Sequence, residues 1–165
     1  MTIALLGTGL LGRAIAERLQ SVGHSVTAYN RTTSKARPLQ ACGITVVTRP
    51  DQAIAQADAV ILMLADMAAI RTVLLTPDSL AALRGKTIIQ MGTIAQEESL
   101  VLQAEIEQAG GLYCEAPVLG SLTEAKAGTR FERVGGTEDQ FAQWLPRFRA
   151  LRREPRLIGP VGKAA

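Results

Sequence analysis

The hydrophobic positions of the chain follow two alternating periods. Residues 2–6 form a continuous apolar run, which is typical of a parallel strand that is covered on both faces. Apolar residues then recur at helical spacing as far as Gly23, at Leu11, Ile15, Leu19 and Val22. Residues 25–29 are again rich in strand-forming side chains. This order of strand, helix and strand predicts a βαβ unit at the start of the chain.

The same alternation continues through the rest of the chain. Further strands are predicted from short apolar runs, at residues 44–47, 59–64, 87–91, 112–115, 131–134 and 156–158. Further helices are predicted from helical periodicity and end signals, at residues 34–41, 50–57, 67–75, 96–109, 122–127 and 137–151. Because strands and helices alternate throughout, the pattern predicts an α/β fold with a doubly wound, mostly parallel sheet.

Length and composition fit one globular domain. The chain has 165 residues, of which 47% are hydrophobic and 20% are charged, and this balance argues against disorder and against a coiled coil. No apolar run approaches the roughly 18 residues of a membrane span, and the N-terminal residues lack the layout of a signal peptide. We therefore expect a soluble, cytoplasmic protein with no membrane partner.

The cysteines give no sign of a metal or disulfide site. Cys42 and Cys114 are far apart in the sequence, and no metal-ligand pattern surrounds either of them. We interpret them as two lone, buried thiols, and we expect no metal.

The excess of positive over negative charge lies at the C-terminal end of the chain. The formal net charge is +3, but residues 130–165 carry eight basic and four acidic side chains, whereas residues 1–129 carry ten and eleven. Aromatic side chains that could stack on bases are few, with three Phe, two Tyr and one Trp. We therefore interpret the basic end as a solvated surface and expect no nucleic-acid partner.

A glycine pattern lies between the first predicted strand and the first predicted helix. Gly7-x-Gly9-x-x-Gly12 stands in the context in which this motif binds a dinucleotide. Gly7 permits a tight turn, Gly9 lets the backbone approach a pyrophosphate, and Gly12 lets the helix pack closely against the strand. The N-terminus of the helix offers free N–H groups to the phosphates. The pattern predicts a dinucleotide site in a Rossmann-type fold.

The end of the second predicted strand bears on the choice between NAD and NADP. NAD sites usually carry Asp or Glu here to accept hydrogen bonds from the ribose, but this chain has Asn30-Arg31-Thr32. Arg31 can form charge-assisted hydrogen bonds with a 2′-phosphate. We expect NADP, with NAD as the less favoured cofactor. The other interpretation is that Arg31 is an ordinary exposed turn residue.

Seven short motifs occur in an order that resembles a known enzyme family. They are Gly7-Thr-Gly-Leu-Leu-Gly12, Gly23-His24, Asn30-Arg-Thr32, Met63-Leu-Ala-Asp66, Met91-Gly-Thr-Ile94, Glu115-Ala-Pro-Val-Leu-Gly-Ser121 and Gly135-Gly136. Together they resemble the N-terminal domain of the β-hydroxyacid dehydrogenases, the group that includes 3-hydroxyisobutyrate dehydrogenase and the glyoxylate/succinic semialdehyde reductases. The resemblance covers essentially the whole chain.

The resemblance implies a set of cofactor-binding residues and a substrate-binding loop. Thr93 would contact both the nicotinamide ribose and the substrate. The loop that ends at Ser121 would hold the carboxylate of a small-molecule substrate through Gly120 and Ser121. Leu119, where many relatives have serine, leaves the exact substrate open. The implied cofactor-binding set is Gly7, Thr8, Gly9, Leu10, Leu11, Gly12, Asn30, Arg31, Thr32, Lys35, Met63, Leu64, Ala65 and Thr93.

Several charged or titratable residues are interpreted structurally. His24 is the only histidine, and it sits at the amino end of a predicted strand, away from the expected crevice. Asp66 precedes a predicted helix, and we interpret it as the helix cap and not as a proton donor. Arg130, Glu132 and Arg133 lie in a segment that is apolar in relatives, and their charges predict an edge strand or a segment that pairs poorly.

The resemblance puts the proton donor outside this chain. In the family the donor is a lysine on the first long helix of an all-helical second domain, within a Gly-x-x-Gly-x-x-x-x-x-Lys pattern. Gly159-Pro-Val-Gly162 matches the start of that pattern, so the lysine would fall beyond Ala165, and Lys163 is too early. We expect residues 1–160 to form the dinucleotide-binding domain and residues 161–165 to begin a linker. The helical domain, absent from this chain, would make the full-length protein a homo-oligomer.

These expectations lead to three hypotheses for function. The first is the NADP-binding domain of an oxidoreductase that reduces a small acid aldehyde, such as glyoxylate, succinic semialdehyde or a substrate of the 3-hydroxyisobutyrate type, by hydride transfer. The chain alone would then be inactive because it lacks the lysine. The second is an imine reductase of the same superfamily, which also carries an Asn-Arg-Thr turn. The third is a non-catalytic nucleotide-binding module.

Overall fold

A computed structural model describes residues 1–118, 131–151 and 154–165. The strands are β1 (Thr2–Leu6), β2 (Ser25–Tyr29), β3 (Thr45–Val47), β4 (Ala59–Leu62), β5 (Thr87–Gln90), β6 (Leu112–Glu115), β7 (Phe131–Gly135) and β8 (Glu154–Gly159). The α-helices are α1 (Leu10–Ser21), α2 (Thr33–Ala36), α3 (Pro50–Ala55), α4 (Met67–Val73), α5 (Pro77–Ala81), α6 (Gln96–Gln108) and α7 (Glu138–Leu151), and a 3-10 helix covers Arg37–Cys42. None of the helices in these ranges is long and apolar enough to cross a membrane.

The strands form one sheet in the order β3-β2-β1-β4-β5-β6-β7-β8. β1 pairs in parallel with β2 on one side and with β4 on the other, and β5 and β6 continue in parallel beyond β4. The chain therefore changes direction across the sheet at β1. In a sheet of this kind, ligands bind in the crevice at the carboxyl ends of the strands where the order reverses. The predicted α/β, Rossmann-type fold class is confirmed.

Buried apolar side chains cover both faces of the sheet. On one face, Ile3 and Leu5 of β1 belong to the same buried cluster as Leu19 of α1 and as Trp144 and Phe148 of α7. On the other face, the strands pack against apolar side chains of α3, α4 and α6. β4 and residues 3–6 of β1 are apolar because neither of their faces meets water.

Two helical regions differ from the prediction. Residues 77–81 form α5, which the apolar pattern missed. Thr76 caps this helix and Pro77 occupies its first turn, so its signals are at its start and not in its periodicity. The helix predicted at 34–41 is a single α-helical turn followed by the 3-10 helix, because Pro38 has no N–H to continue the α-helical hydrogen bonds. The helix predicted at 122–127 lies outside the described residues.

The charged strand β7 is not an edge of the sheet, so that alternative for the charged segment is wrong. β7 lies between β6 and β8, and β8 forms the edge. The antiparallel contact of β7 with β6 pairs Gly135 with Glu115, whereas its parallel contact with β8 extends along the strand. The second alternative, a segment that pairs poorly, holds only for the contact with β6, since Glu132 and Arg133 pair with Pro155 and Arg156 of β8. Arg130 lies outside the described residues.

The two cysteines differ in burial. Cys114 is buried, but Cys42 is exposed, so the prediction of two buried thiols is wrong for Cys42. Cys42 ends the 3-10 helix immediately before Gly43, at a surface turn where no core contact is required. No disulfide joins the two residues.

Candidate cofactor site

The loop between β1 and α1 brings backbone segments into direct contact. Gly7 has a φ of +104°, in the left-handed region that favours glycine. A Cβ on Gly7 would overlap the carbonyl group of Met63, and a Cβ on Gly12 would overlap the carbonyl group of Gly7. Glycine at both positions therefore lets the loop close against the end of β4 and lets α1 lie against the loop.

Gly9 has a different role, because its missing side chain leaves open space. No heavy atom lies within 4 Å of the position that a Cβ on Gly9 would occupy. Gly9 is also the N-cap residue of α1, and the first turn of this helix has neither an acidic residue nor a side-chain cap. The first N–H groups of α1 therefore remain available to an anion. This end of the helix fits a phosphate group.

Thr8 gives a second sign of a polar ligand at this loop. Its side chain is buried, and its Oγ1 has no hydrogen-bond partner among the described residues. A buried polar group without a partner costs about 1–3 kcal/mol. A ligand oxygen bound at the loop would supply the missing partner, so the residues present fit a dinucleotide.

Asn30 connects the glycine loop to the turn after β2. Its Oδ1 accepts a hydrogen bond from the N–H of Thr8 at 3.0 Å, and its Nδ2 donates to the carbonyl of Thr32 at 3.0 Å. Both ends of the amide are thus used within the protein. The side chains of Arg31 and Lys35 are exposed, and in the described part of the chain neither forms an ion pair. Arg31, in the turn after β2, and Lys35, in α2, are therefore two cations that no carboxylate of the described residues neutralises.

One groove at the carboxyl edge of the sheet brings together predicted residues from three separate segments. Its volume is about 240 Å³, somewhat below the volume of typical ligand clefts, which enclose about 300–1,000 Å³. The segments meet because β1, β2 and β4 are parallel neighbours that end at the same edge. The predicted residues that line the groove are Gly7, Gly9, Asn30, Arg31, Thr32, Lys35, Met63, Leu64 and Ala65.

Five residues predicted to bind the cofactor do not line this groove. Thr8 and Gly12 are buried behind the loop surface. Leu10 and Leu11 begin α1, and Leu10 is 78% exposed. Thr93 is exposed in the loop after β5, outside the groove lining. Of these five residues, Thr8 and Gly12 are therefore buried, whereas Leu10 and Thr93 are exposed outside the groove lining.

The predicted substrate residues Gly120 and Ser121 lie outside the described residues. The described start of their loop is attached to the segment that follows β5, since the N–H of Val118 donates to the carbonyl of Met91 at 3.0 Å. Met91 lies two residues before Thr93. The loop therefore begins beside the segment that carries Thr93.

One wall of the groove was not predicted. It consists of Ala69, Thr72 and Val73 on α4, and their spacing puts them on one face of that helix. This spacing is the only sequence signal for the α4 wall. It does not distinguish a ligand-binding face from a face that packs against the core. Asp66 caps α4 by accepting a hydrogen bond from the N–H of Ala69 at 2.8 Å, which confirms its interpretation as a helix cap.

His24 lies at the amino ends of the strands, whereas the groove lies at their carboxyl ends, in agreement with the prediction. It immediately precedes β2, and its backbone N–H donates to the carbonyl of Leu19 at 3.1 Å. Burial lowers the pKa of the imidazole, and the positive charges of Arg147 and of the N-terminus lower it further. The folded protein therefore favours the neutral form of this side chain.

Two buried polar side chains lie at the carboxyl ends of β5 and β6. Gln90 and Glu115 are in register on these adjacent strands, and each is 1% exposed. Neither amide atom of Gln90 has a hydrogen-bond partner within the described residues. Gln90 carries no sequence signal, because a single polar residue at the end of an apolar run has no pattern. Glu115 has many partners, which are described below.

Comparison with known families identifies the kind of domain. Residues 2–159 match the family described as the NAD binding domain of 6-phosphogluconate dehydrogenase. The match covers all of the strands, the glycine loop and the whole of the groove.

Curated relatives include both enzymes and a nuclear factor. The chain is 32% identical over 167 residues to glyoxylate/succinic semialdehyde reductase 1 of Arabidopsis thaliana, covering 100% of this chain and 58% of the relative. It is 29% identical over 167 residues to the cytokine-like nuclear factor N-PAC of Drosophila pseudoobscura pseudoobscura, covering 99% of this chain and 27% of that protein. The chain therefore spans little more than half of the first relative and about a quarter of the second.

Solved structures share the fold along nearly the whole chain. The 3-hydroxyisobutyrate dehydrogenase of Mycobacterium tuberculosis, solved with L-serine, has a TM-score of 0.93 at 30% identity, covering 99% of this chain and 56% of that one. An imine reductase from Myxococcus stipitatus, in complex with NADP+, has a TM-score of 0.95 at 20% identity, covering 99% of this chain and 57% of that one. The second likeness shows the fold alone.

Proposed function

Because the chain belongs to the family of the NAD binding domain of 6-phosphogluconate dehydrogenase, we propose that it is the NADP-binding domain of an oxidoreductase that reduces a small acid aldehyde. The observation that carries the proposal is the groove at the carboxyl edge of the sheet. There the glycine loop, the turn after β2 and the loop after β4 meet, and a cationic pair stands at one end.

The end of β2 supports NADP over NAD. An NAD site needs a carboxylate here to accept hydrogen bonds from the ribose hydroxyls, but Asn30 uses both ends of its amide within the protein. Arg31 and Lys35 are exposed and line the groove. The planar guanidinium of Arg31 suits the oxygens of a 2′-phosphate, and Lys35 adds a second positive charge.

The residues of this chain would bind and orient the reactants. NADPH, when bound, supplies the hydride for reduction of the aldehyde. The free N–H groups at the N-terminus of α1 would hold the pyrophosphate, and the α4 wall, formed by Ala69, Thr72 and Val73, would hold the adenosine end. Thr93 would position the nicotinamide ribose and the substrate, and Gly120 and Ser121 would bind the substrate carboxylate.

The remaining parts of the proposal concern the full-length protein. The proton that the developing alkoxide needs would come from a lysine beyond Ala165, on a helical domain that also forms a homo-oligomer. Residues 1–160 would be the nucleotide-binding domain, and residues 161–165 would begin the linker. We propose that the protein acts in the cytoplasm on a small carboxylate substrate.

The cofactor proposal is tested by titrating the chain with NADPH and NADH. Arg31→Ala is expected to weaken NADPH binding by about 1.5–3 kcal/mol, roughly 10- to 150-fold, and to leave NADH binding nearly unchanged. Arg37→Ala is the matched control, because Arg37 is also exposed but does not line the groove. Equal losses for the two nucleotides, or an equal effect of both substitutions, would contradict NADP recognition by Arg31.

A second candidate function is a nucleotide-binding module without catalysis. The observation in its favour is the relative of 29% identity that is named as a nuclear factor and not as an enzyme. The protein expressed from its complete reading frame separates the candidates. Oxidation of NADPH with glyoxylate or succinic semialdehyde would support the reductase, and oxidation with a cyclic imine only would support an imine reductase. Tight NADPH binding without turnover on any of them would support the module.

A further inference from the structure

A buried carboxylate at the end of β6 takes no part in the groove. Glu115 is 1% exposed, and no lysine, arginine or histidine of the described residues forms an ion pair with it. A buried charge without a cation is tolerated only when several hydrogen bonds stabilise it. The groups that donate hydrogen bonds to Glu115 therefore show which part of the chain it holds in place.

One oxygen of Glu115 binds the backbone of residues 162–165, here called the C-terminal segment. Oε1 accepts hydrogen bonds from the N–H groups of Gly162 and Ala164, each at 2.7 Å, and from the N–H of Ala165 at 3.3 Å. Hydrogen bonds to a charged acceptor are roughly twice as strong as neutral ones. The carboxylate therefore fixes the C-terminal segment at the end of β6.

The other oxygen of Glu115 is held by two hydroxyl groups in series. Oε2 accepts a hydrogen bond from Oγ of Ser99 at 2.6 Å, and this Oγ lies 2.8 Å from the hydroxyl of Tyr113. Ser99 has a single hydroxyl proton, which it donates to Glu115, so the hydroxyl of Tyr113 is the donor to Oγ of Ser99. Glu115 is thus the acceptor at both oxygens, and the network is polarised toward its charge.

The C-terminal segment lies beside the loop that carries Thr93. A Cβ on Gly162 would lie 3.2 Å from Cγ of Gln96, the first residue of α6. The preceding residue, Val161, belongs to the same buried cluster as Ile94. Because Ile94 directly follows Thr93, the segment is packed at the end of the sheet where the proposed nicotinamide and substrate positions lie.

We propose that Glu115 is a positioning residue whose carboxylate holds the C-terminal segment beside Thr93, at the substrate end of the groove. That this location is the substrate end rests on the proposed function, whereas the contact between Glu115 and the C-terminal segment does not. Both the charge and the reach of the side chain are required, because three N–H groups converge on one oxygen. The residue acts through the segment that it holds and not on reacting atoms.

The test is NMR spectroscopy of the 165-residue chain and its Glu115→Gln variant, which keeps the shape and removes the charge. In the wild type, the amide protons of Gly162 and Ala164 are expected to resonate downfield and to exchange slowly. In the variant these signals move upfield and exchange about tenfold faster or more. The amides of Ile61 and Ile89, in the strands β4 and β5, are the reference and should not change.

Two further variants form a matched pair. Gly135→Ala keeps the charge but displaces the carboxylate, because the added Cβ would lie 2.7 Å from Cγ of Glu115. It is expected to release the same amides as Glu115→Gln. Ser99→Ala removes the donor to Oε2 and leaves Oε1 with its three N–H groups, so its effect on the C-terminal segment should be much smaller.

The proposal would be overturned if the amides of Gly162 and Ala164 exchanged at the wild-type rate in both Glu115→Gln and Gly135→Ala. An equal acceleration at the strand amides would overturn it too, because it would mean that Glu115 only fills the core. If the variants do not fold, the wild type decides, since fast exchange at these two amides would itself be contradictory. NADPH titration of the wild type is a separate readout: failure to bind would remove the proposed function and leave the exchange result intact.

Discussion

The two halves of the sheet are held together in different ways. From β3 to β6 every neighbouring pair is parallel, and the connections are helices close in sequence that cover both faces. At β7 the direction changes, and its contact with β6 pairs Gly135 with Glu115. Here the contacts join distant residues, such as Ile3 and Trp144 in one buried cluster, or Glu115 and the C-terminal segment.

The groove and the packing around it therefore come from different halves of the sheet. The groove belongs to the first half, where each loop follows directly from the end of a parallel strand. The second half contributes a helix to one face and a segment that Glu115 holds at the end of β6. Substitutions in the second half should therefore change stability without changing nucleotide affinity, and some substitutions in the first half should do the opposite.

The largest expected effect comes from α7. Trp144 is buried against the sheet, so Trp144→Ala should lower the free energy of unfolding by about 3–5 kcal/mol. Urea unfolding followed by circular dichroism measures the loss, because Trp144 is the only tryptophan. The folded fraction should bind NADPH as tightly as the wild type. A loss of affinity with little change in stability would show that α7 and the groove are coupled.

Two substitutions in the glycine loop should have opposite effects: one should lower stability and the other should lower NADPH affinity. Gly12→Ala forces a Cβ into the carbonyl of Gly7, and we expect a loss of about 1–3 kcal/mol in the free energy of unfolding. Gly9→Ala meets open space and has an ordinary φ of −65°, so stability should change by no more than about 0.5 kcal/mol. Its methyl group would occupy the space that a pyrophosphate needs, and NADPH affinity should fall. If Gly9→Ala binds NADPH normally, the phosphate does not lie over this loop.

The first half of the molecule was largely predictable, because local patterns determine it. Apolar runs and helical periodicity located β1 to β6 and most of the helices, and the parallel order then brought Gly7, Asn30 and Met63 to one edge. The α4 wall and Gln90 were missed. A helix face that binds a ligand and one that packs on a core have the same spacing, and a single buried amide has no pattern.

The second half was less predictable, since its contacts do not follow the repeating order of strand and helix. Charge along β7 suggested an edge strand, but β8 covers it. Nothing in the order of residues indicates that Glu115 binds the N–H groups of Gly162 and Ala164. Such contacts depend on how the chain returns to the sheet, which only tertiary structure decides.

The α4 wall offers a smaller and more selective test. Asp66→Ala removes the cap of α4 and Thr76→Ala removes the cap of α5, and each should cost about 1 kcal/mol of stability. Only α4 lines the groove, so only Asp66→Ala should also weaken NADPH binding. Thermal unfolding and nucleotide titration of both variants measure the two effects. Equal binding losses would show that the effect is general destabilisation and not displacement of the wall.

The smallest expected effect is the pH dependence that His24 contributes at the far edge of the sheet. Burial lowers the pKa of this imidazole in the folded state, so protonation favours the unfolded chain. The stability that the neutral form provides is present above the ordinary histidine pKa of about 6.5 and is lost as the pH falls through the lowered value. Between pH 7 and 5, the melting temperature of His24→Gln should therefore fall less than that of the wild type.

Arg147→Gln tells which cause dominates at His24. The positive charge of Arg147 lowers the same pKa, but burial is the larger cause, so this variant should keep most of the pH dependence of the wild type. Loss of the whole dependence in Arg147→Gln would mean that charge repulsion dominates. NADPH affinity should remain unchanged in His24→Gln, because the residue lies at the opposite end of the strands from the groove. A change in that affinity would contradict the separation of the two edges of the sheet.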